Sequence, residues 1–138
     1  MPSLPPLSDV LDEFELLDGE DRYRLLIDLG RQLEPMPDAF KTEATKVRGC
    51  SAAVWVYPAL TADGRLHFMA DSNAAITKGI VALVLSAVQD KPADEVARLD
   101  VAEALAPFEL GKHLSANRTQ GVPGMIALVR ETAQRLAA

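Results

Sequence analysis

The chain has a single cysteine among its 138 residues, which excludes an internal disulfide and any site that needs several thiolates from one chain. It has two histidines and no close ligand spacing among these three residues, so one chain does not supply a tetrahedral zinc site. Aromatics make up 5% of the sequence and no run of Lys or Arg occurs, which removes the stacking platforms and basic footprint of a nucleic-acid binder. A Gly-rich strand-to-helix turn at phosphate-binding spacing is missing. Gly121-Val122-Pro123-Gly124 is too small a fragment to replace it, so a nucleotide-binding α/β fold is disfavoured. The most apolar stretch, Ile76 to Val88, is interrupted by Thr77, Lys78 and Ser86 and is too short for a bilayer; it reads as a core helix, and no membrane partner is expected. A basic leader followed by an apolar stretch and a small-residue cleavage site is also lacking. With the lone thiol, this gives the expectation of a cytoplasmic protein.

What is present suits one domain spanning residues 1–138, with a Pro-rich and mobile segment at 1–7, because 49% hydrophobic residues supply a sizeable core at this length. The net charge of −6 is uneven: residues 1–45 carry eleven acids and four bases, so the remainder is close to neutral. The acidic segment reads most simply as a solvated helix face. Ser8 is the expected N-cap of a first helix with Val10, Leu11, Phe14 and Leu17 at helical spacing. Leu25, Leu26, Leu29 and Leu33 mark a second helix, stopped by Pro35 and Pro37.

Alternation over Ala52–Tyr57 and again over Leu66–Met69, across Asp63-Gly64, predicts an antiparallel hairpin with Pro58 at the end of its first strand. Asp71, Ser72 or Asn73 is then placed to cap a helix in which Ile76, Ile80, Val84 and Val88 align and nearly every side is apolar, the pattern of a central element. Pro92 opens a short helix, Asp100 caps another, Gly111 reads as a helix stop, and Met125, Ile126, Val129 and Ala133 face inward from a last helix over 122–136. Strands in the middle with helices on both sides describe an α+β domain, a small antiparallel sheet packed against several helices.

Cys50 lies in Val47-Arg48-Gly49-Cys50-Ser51, a loop-like step before the first strand. A free cysteine is often a small buried hydrophobe. Here Gly49 allows the backbone to bend, and Arg48 and Lys46 place cations nearby, which favours the nucleophilic thiolate. On the residues alone both readings stand. His67 reads as a solvent-side or sheet-packing residue. His113, in a loop-like Gly111–Ser115 segment, could approach Cys50, but no oxyanion motif accompanies such a dyad.

Taken together, Lys46–Ser51 followed by Val54-Trp55, Ala70-Asp71-Ser72 with Ala74 and Ile76, Lys78-Gly79, and His113-Leu114-Ser115 with Arg118 and Gly121 resemble the SufE sulfur-acceptor family, over about Tyr23 to Arg130. The chain departs from the common family pattern at Thr45, Ser51, Asn73 and Thr119-Gln120, where Asn, Gln, Asp and Ser-Asn are usual. These positions bear on loop hydrogen bonding and partner preference.

The resemblance implies a SufE/IscU-like fold and a sulfur carrier rather than a stand-alone enzyme. Cys50 would take persulfide sulfur from a SufS-like cysteine desulfurase and stimulate it, and would pass the sulfur to a SufBCD-like scaffold complex. It also implies that Arg48, Gly49, Ser51, Asp71, His113 and Arg118 support the loop or the docking face. No cofactor of its own is expected, the pyridoxal phosphate belonging to the desulfurase. Exchange between chains needs one accessible thiolate without a resolving cysteine beside it, as here. The alternatives are an iron–sulfur cluster scaffold and a non-catalytic interaction domain. The sequence leaves monomer and homodimer open.

Overall fold

The computed structural model describes residues 4–47, 52–115 and 119–137. In chain order it contains α1 (Leu7–Leu16), α2 (Gly19–Gly30), a 3-10 turn (Asp38–Phe40), β1 (Val54–Leu60), β2 (Arg65–Ser72) and α3 (Ala75–Val88). Then come β3 (Lys91–Pro92), α4 (Ala93–Arg98), α5 (Val101–Leu105), a 3-10 turn (Ala106–Phe108), α6 (Leu110–His113) and α7 (Val122–Ala137). The three-stranded sheet has the order β1-β2-β3 and is antiparallel throughout. The α+β architecture with a small antiparallel sheet is thus as expected.

Helix α3 is the centre. Ile80, Val81, Ala82, Leu83, Val84, Leu85 and Val88 are each at most 2% exposed, so the helix is surrounded, as its all-round apolar sequence requires. Leu66, Phe68 and Ala70 of β2 and Val54 and Val56 of β1 are buried in the same core, and burying each large side chain contributes about 1.5–3 kcal/mol. On the other side α2 crosses α3 closely enough that a Cβ added to Gly79 would lie 2.1 Å from the Leu26 carbonyl oxygen. Gly79 is therefore a residue the crossing demands.

Several boundaries differ from the sequence reading. Helix α1 starts one residue before Ser8, and Pro6 is its N-cap without a side-chain cap bond. Helix α2 ends at Gly30, so Leu33 is buried from the turn beyond it. Ala74, not Asp71, Ser72 or Asn73, is the N-cap of α3, because Asp71 and Ser72 are held in the β2 ladder against Trp55 and Val54. Ser72 Oγ nevertheless accepts from the Ala74 amide at 3.3 Å. Asp100 caps α5 by accepting from the Glu103 amide, as anticipated. Gly111 lies within α6 instead of stopping a helix.

Strand β1 runs on through Pro58 to Leu60. Val56 donates outward to Thr45, and alternation places the position of the missing Pro58 N–H on that same outer side of an edge strand, where it costs no ladder bond. Across from it, both backbone groups of Phe68 face away from β1 and are met by the Gln89 side chain at 2.8 Å each. The Gln89 amide thereby extends the ladder beyond the two residues of β3.

Candidate functional site

The sheet face turned away from α3 carries the paired residues Trp55 and Asp71, Tyr57 and Met69, and Ala59 and His67. The connection from α2 to β1 lies across this face. Phe40 stacks on Tyr57 with ring centroids 4.7 Å apart, and Lys41 sits with Nζ 5.6 Å from the Trp55 ring centroid. Lys41 Nζ also contacts Asp71 Oδ2 at 2.8 Å and Asp38 Oδ1 at 3.3 Å, while Lys78 Nζ meets Asp71 Oδ1 at 3.2 Å.

Burial would push the Asp71 carboxyl up, but hydrogen bonds from Lys41, the Ser72 amide and Lys78 outweigh it and hold the group below its ordinary range. The bond to Asp71 in turn raises the Lys41 ammonium above its usual value. Asp71 therefore stays a carboxylate between two cations, tying the 38–41 turn to the end of the hairpin and the start of α3.

The same end of the sheet anchors the two stems of the cysteine-bearing segment. Val47 donates to the Val54 carbonyl at 2.8 Å and Val56 to the Thr45 carbonyl at 2.8 Å, with Lys46 opposite Trp55 in an antiparallel bridge. Ser72 Oγ donates to the Ala53 carbonyl at 2.7 Å, and the Ala53 amide donates to Asn73 Oδ1 at 3.2 Å. The Asn73 amide also reaches the Ala53 carbonyl at 3.3 Å. Thr45 Oγ1 donates to the Phe40 carbonyl at 2.6 Å. Both stems are thus bonded to the rigid hairpin or to the turn that covers it.

Asp71 is the expected site residue that the structure places fully. Arg48, Gly49, Cys50, Ser51 and Arg118 lie outside the described residues, as does the His113 side chain. The backbone of His113 closes α6, and Leu114 after it is buried. Thr119 then donates to the Ser115 carbonyl at 3.3 Å. Lys41, Trp55, Lys78 and the Ser72–Ala53 bond went unnoticed as site features in the sequence. No local pattern marked them, because the residues that partner them are distant along the chain.

His67, read as a solvent-side or packing residue, is held by carboxylates on both ring nitrogens: Nδ1 to Asp90 and Nε2 to Glu34, each at 2.7 Å. Donation to both requires the imidazolium. Burial alone would lower its pKa, yet the bonds to Asp90 and Glu34 together raise it. The clamp fastens the segment after α2 to the sheet. Among the described residues no group of three or more His, Cys, Asp or Glu is arranged to hold a metal ion, and no helix is long and apolar enough to cross a membrane.

Comparison with known proteins gives the family and the fold. The chain is 37% identical over 132 residues to an uncharacterized SufE-like protein of Rhizobium meliloti, covering 93% of this chain and 94% of the relative. It is 38% identical over 136 residues to an uncharacterized SufE-like protein of Rhizobium etli, covering 96% and 92%. A hypothetical protein from Thermus thermophilus, solved in solution, has the same fold, with a TM-score of 0.76 at 17% identity over 97% of this chain and 98% of that one. The profile of the SufE family, described as an Fe-S metabolism associated domain, matches residues 8–133, and the chain belongs to that family, with a sulfur-transfer role in Fe–S metabolism.

Proposed function

We propose that this protein is the sulfur acceptor of a pyridoxal-phosphate-dependent cysteine desulfurase and that Cys50 carries the sulfur. The thiolate of Cys50 attacks the terminal sulfur of the desulfurase persulfide. A new S–S bond forms on Cys50 as the S–S bond of the donor breaks, the donor thiolate leaves, and Cys50 ends as Cys–S–SH with no net oxidation or reduction. Transfer onward to a scaffold complex of the SufBCD kind regenerates the thiol, and removal of the persulfide stimulates the desulfurase.

The observation that supports this reading is the anchoring of both stems of the Cys50 segment. Cys50 is three residues from Val47 and four from Val54, and those two residues are hydrogen-bonded to each other. A thiol on such a closed base is delivered to a partner without unravelling the sheet, and Lys46 and Arg48 stand within four residues of it in the chain. Nearby cations favour the thiolate and an anionic persulfide. A cluster scaffold is less well supported, since each chain supplies one thiolate.

The test is Cys50→Ser. With a purified desulfurase and L-cysteine, the variant should keep the wild-type circular dichroism spectrum and lose all stimulation of sulfide release. Undiminished stimulation by the folded variant would refute the carrier role.

A further inference from the structure

Beside the anchored stems runs a groove of about 720 Å3, bounded on one side by residues 44–47 and the middle of β1 and on the other by α7. Its α7 wall includes Ala127, Leu128, Glu131 and Arg135, which share one side of the helix. Ala127 is an exposed position with a side chain too small to fill the space.

We infer that this groove seats an extended, acid-bearing segment of the protein that delivers sulfur to Cys50. The inference rests on the acceptor reading above and names where the donor docks. Three observations select this occupant. The first is the backbone: Thr45 and Val47 spend their carbonyl and amide on β1, so by strand alternation the N–H and C=O of Lys46 point away from β1. Among the described residues that leaves an open edge at which an extended segment can pair, its alternate side chains entering the groove.

The second is charge. Lys46 and Arg135 both line the groove, and neither makes an ion pair within 4.0 Å among the described residues. Glu131 is the one acid among the lining residues. On a chain of net charge −6, this edge offers an acidic partner two cations outside any ion pair against one acid. The third is continuity: the groove reaches Val47, three residues before the proposed acceptor thiol in the chain.

The test titrates desulfurase activity with this protein and measures binding separately. Arg135→Glu reverses a groove charge, and Ala127→Trp fills the groove from a solvent-facing helix position. With a purified cysteine desulfurase and L-cysteine, both variants should raise the acceptor concentration for half-maximal sulfide release, at least fivefold for Arg135→Glu and tenfold for Ala127→Trp. The rate at saturation, the melting temperature and the rate of Cys50 alkylation by iodoacetamide should stay as in wild type. The Arg135→Glu effect should shrink as salt is raised.

Fluorescence anisotropy of labelled Cys50→Ser protein separates the two claims. This variant should bind the desulfurase with wild-type affinity, and adding Arg135→Glu to it should weaken binding by the same factor. If Cys50→Ser still takes up sulfur, the acceptor reading fails and the groove is judged on binding alone. Unchanged half-saturation and binding in both groove variants overturns the assignment, as does a fall in saturated rate with unchanged half-saturation, or absence of binding by wild type.

Discussion

Replacing Gly79 with alanine tests how the fold presents its site. An ideal Cβ there would stand 2.1 Å from the Leu26 carbonyl oxygen, 2.6 Å from the Leu26 carbonyl carbon and 3.3 Å from the Ile27 amide nitrogen. These are backbone atoms of α2, so no side chain can rotate aside. Relief requires the helices to part by about 1 Å, and α3 is enclosed by the sheet and the other helices, so α2 must move. Overpacking of this kind costs about 1–3 kcal/mol and occasionally more, and a rigid backbone clash belongs at the upper end. Alanine returns about 1 kcal/mol of helix propensity.

The expected net destabilisation is about 2 kcal/mol, and at about 3 °C per kcal/mol for a chain of this size the melting temperature should fall by roughly 6 °C. Thermal melts followed by circular dichroism measure it. Two comparisons sharpen the outcome. Gly30→Ala meets the Gly79 amide at 2.8 Å and should cost less. Gly111→Ala, in α6 with nothing within 4 Å of the added carbon, should be neutral or stabilising by up to about 1 kcal/mol. An unchanged or higher melting temperature for Gly79→Ala would show that the close crossing does not exist in solution.

Because of His67, stability should rise as pH falls through the raised folded pKa of its imidazole toward about 6.5. Its folded pKa is raised, so its contribution is fully present below the unfolded value of about 6.5 and is lost as pH rises through the folded value; urea melts of His67→Gln should lose this dependence. Asp71 acts oppositely, since its folded pKa is lowered. Its contribution is present above about 3.9 and is lost as pH falls through the folded value. Asp71→Ala, which leaves Lys41 and Lys78 without their shared anion, should flatten the acid limb of a pH-melting curve. Gln89→Leu leaves both backbone groups of Phe68 unmet and should cost about 2–3 kcal/mol in urea denaturation. Ser72→Ala removes the bond to Ala53. It should lower stability by only about 1 kcal/mol while changing the rate at which iodoacetamide alkylates Cys50, and an unaltered rate would detach that bond from the thiol segment.

The elements that were legible in the sequence are those with long or strict patterns. Helix α3 announced itself by the stretch Ile76 to Val88, apolar on nearly every side, and the hairpin by alternation around Asp63-Gly64, where Gly64 takes φ +82°. Short-range chemistry was less informative. Strand β3 has two residues, too few for any period, and its extension by the Gln89 side chain is a tertiary event. Pro58 looked terminal because only the sheet order shows that its missing donor faces outward.

For the site, Cys50 and Asp71 were marked by the family resemblance. The ion pairs that hold Asp71 were not, since Lys41 and Asp71 come together only when the turn after α2 folds across the sheet. His67 does lie on the outer face of the sheet, but its two carboxylates were not legible, since they come from Glu34 and Asp90, on either side of it in sequence and far from it.

The most direct test of the sulfur-acceptor account is the intact mass of the protein after incubation with a cysteine desulfurase and L-cysteine, without reductant, followed by peptide mapping. The account predicts a gain of one sulfur atom, about 32 Da, on the peptide containing Cys50, removed by dithiothreitol and absent from Cys50→Ser. A wild-type protein whose mass does not change while the desulfurase itself becomes persulfidated would contradict it.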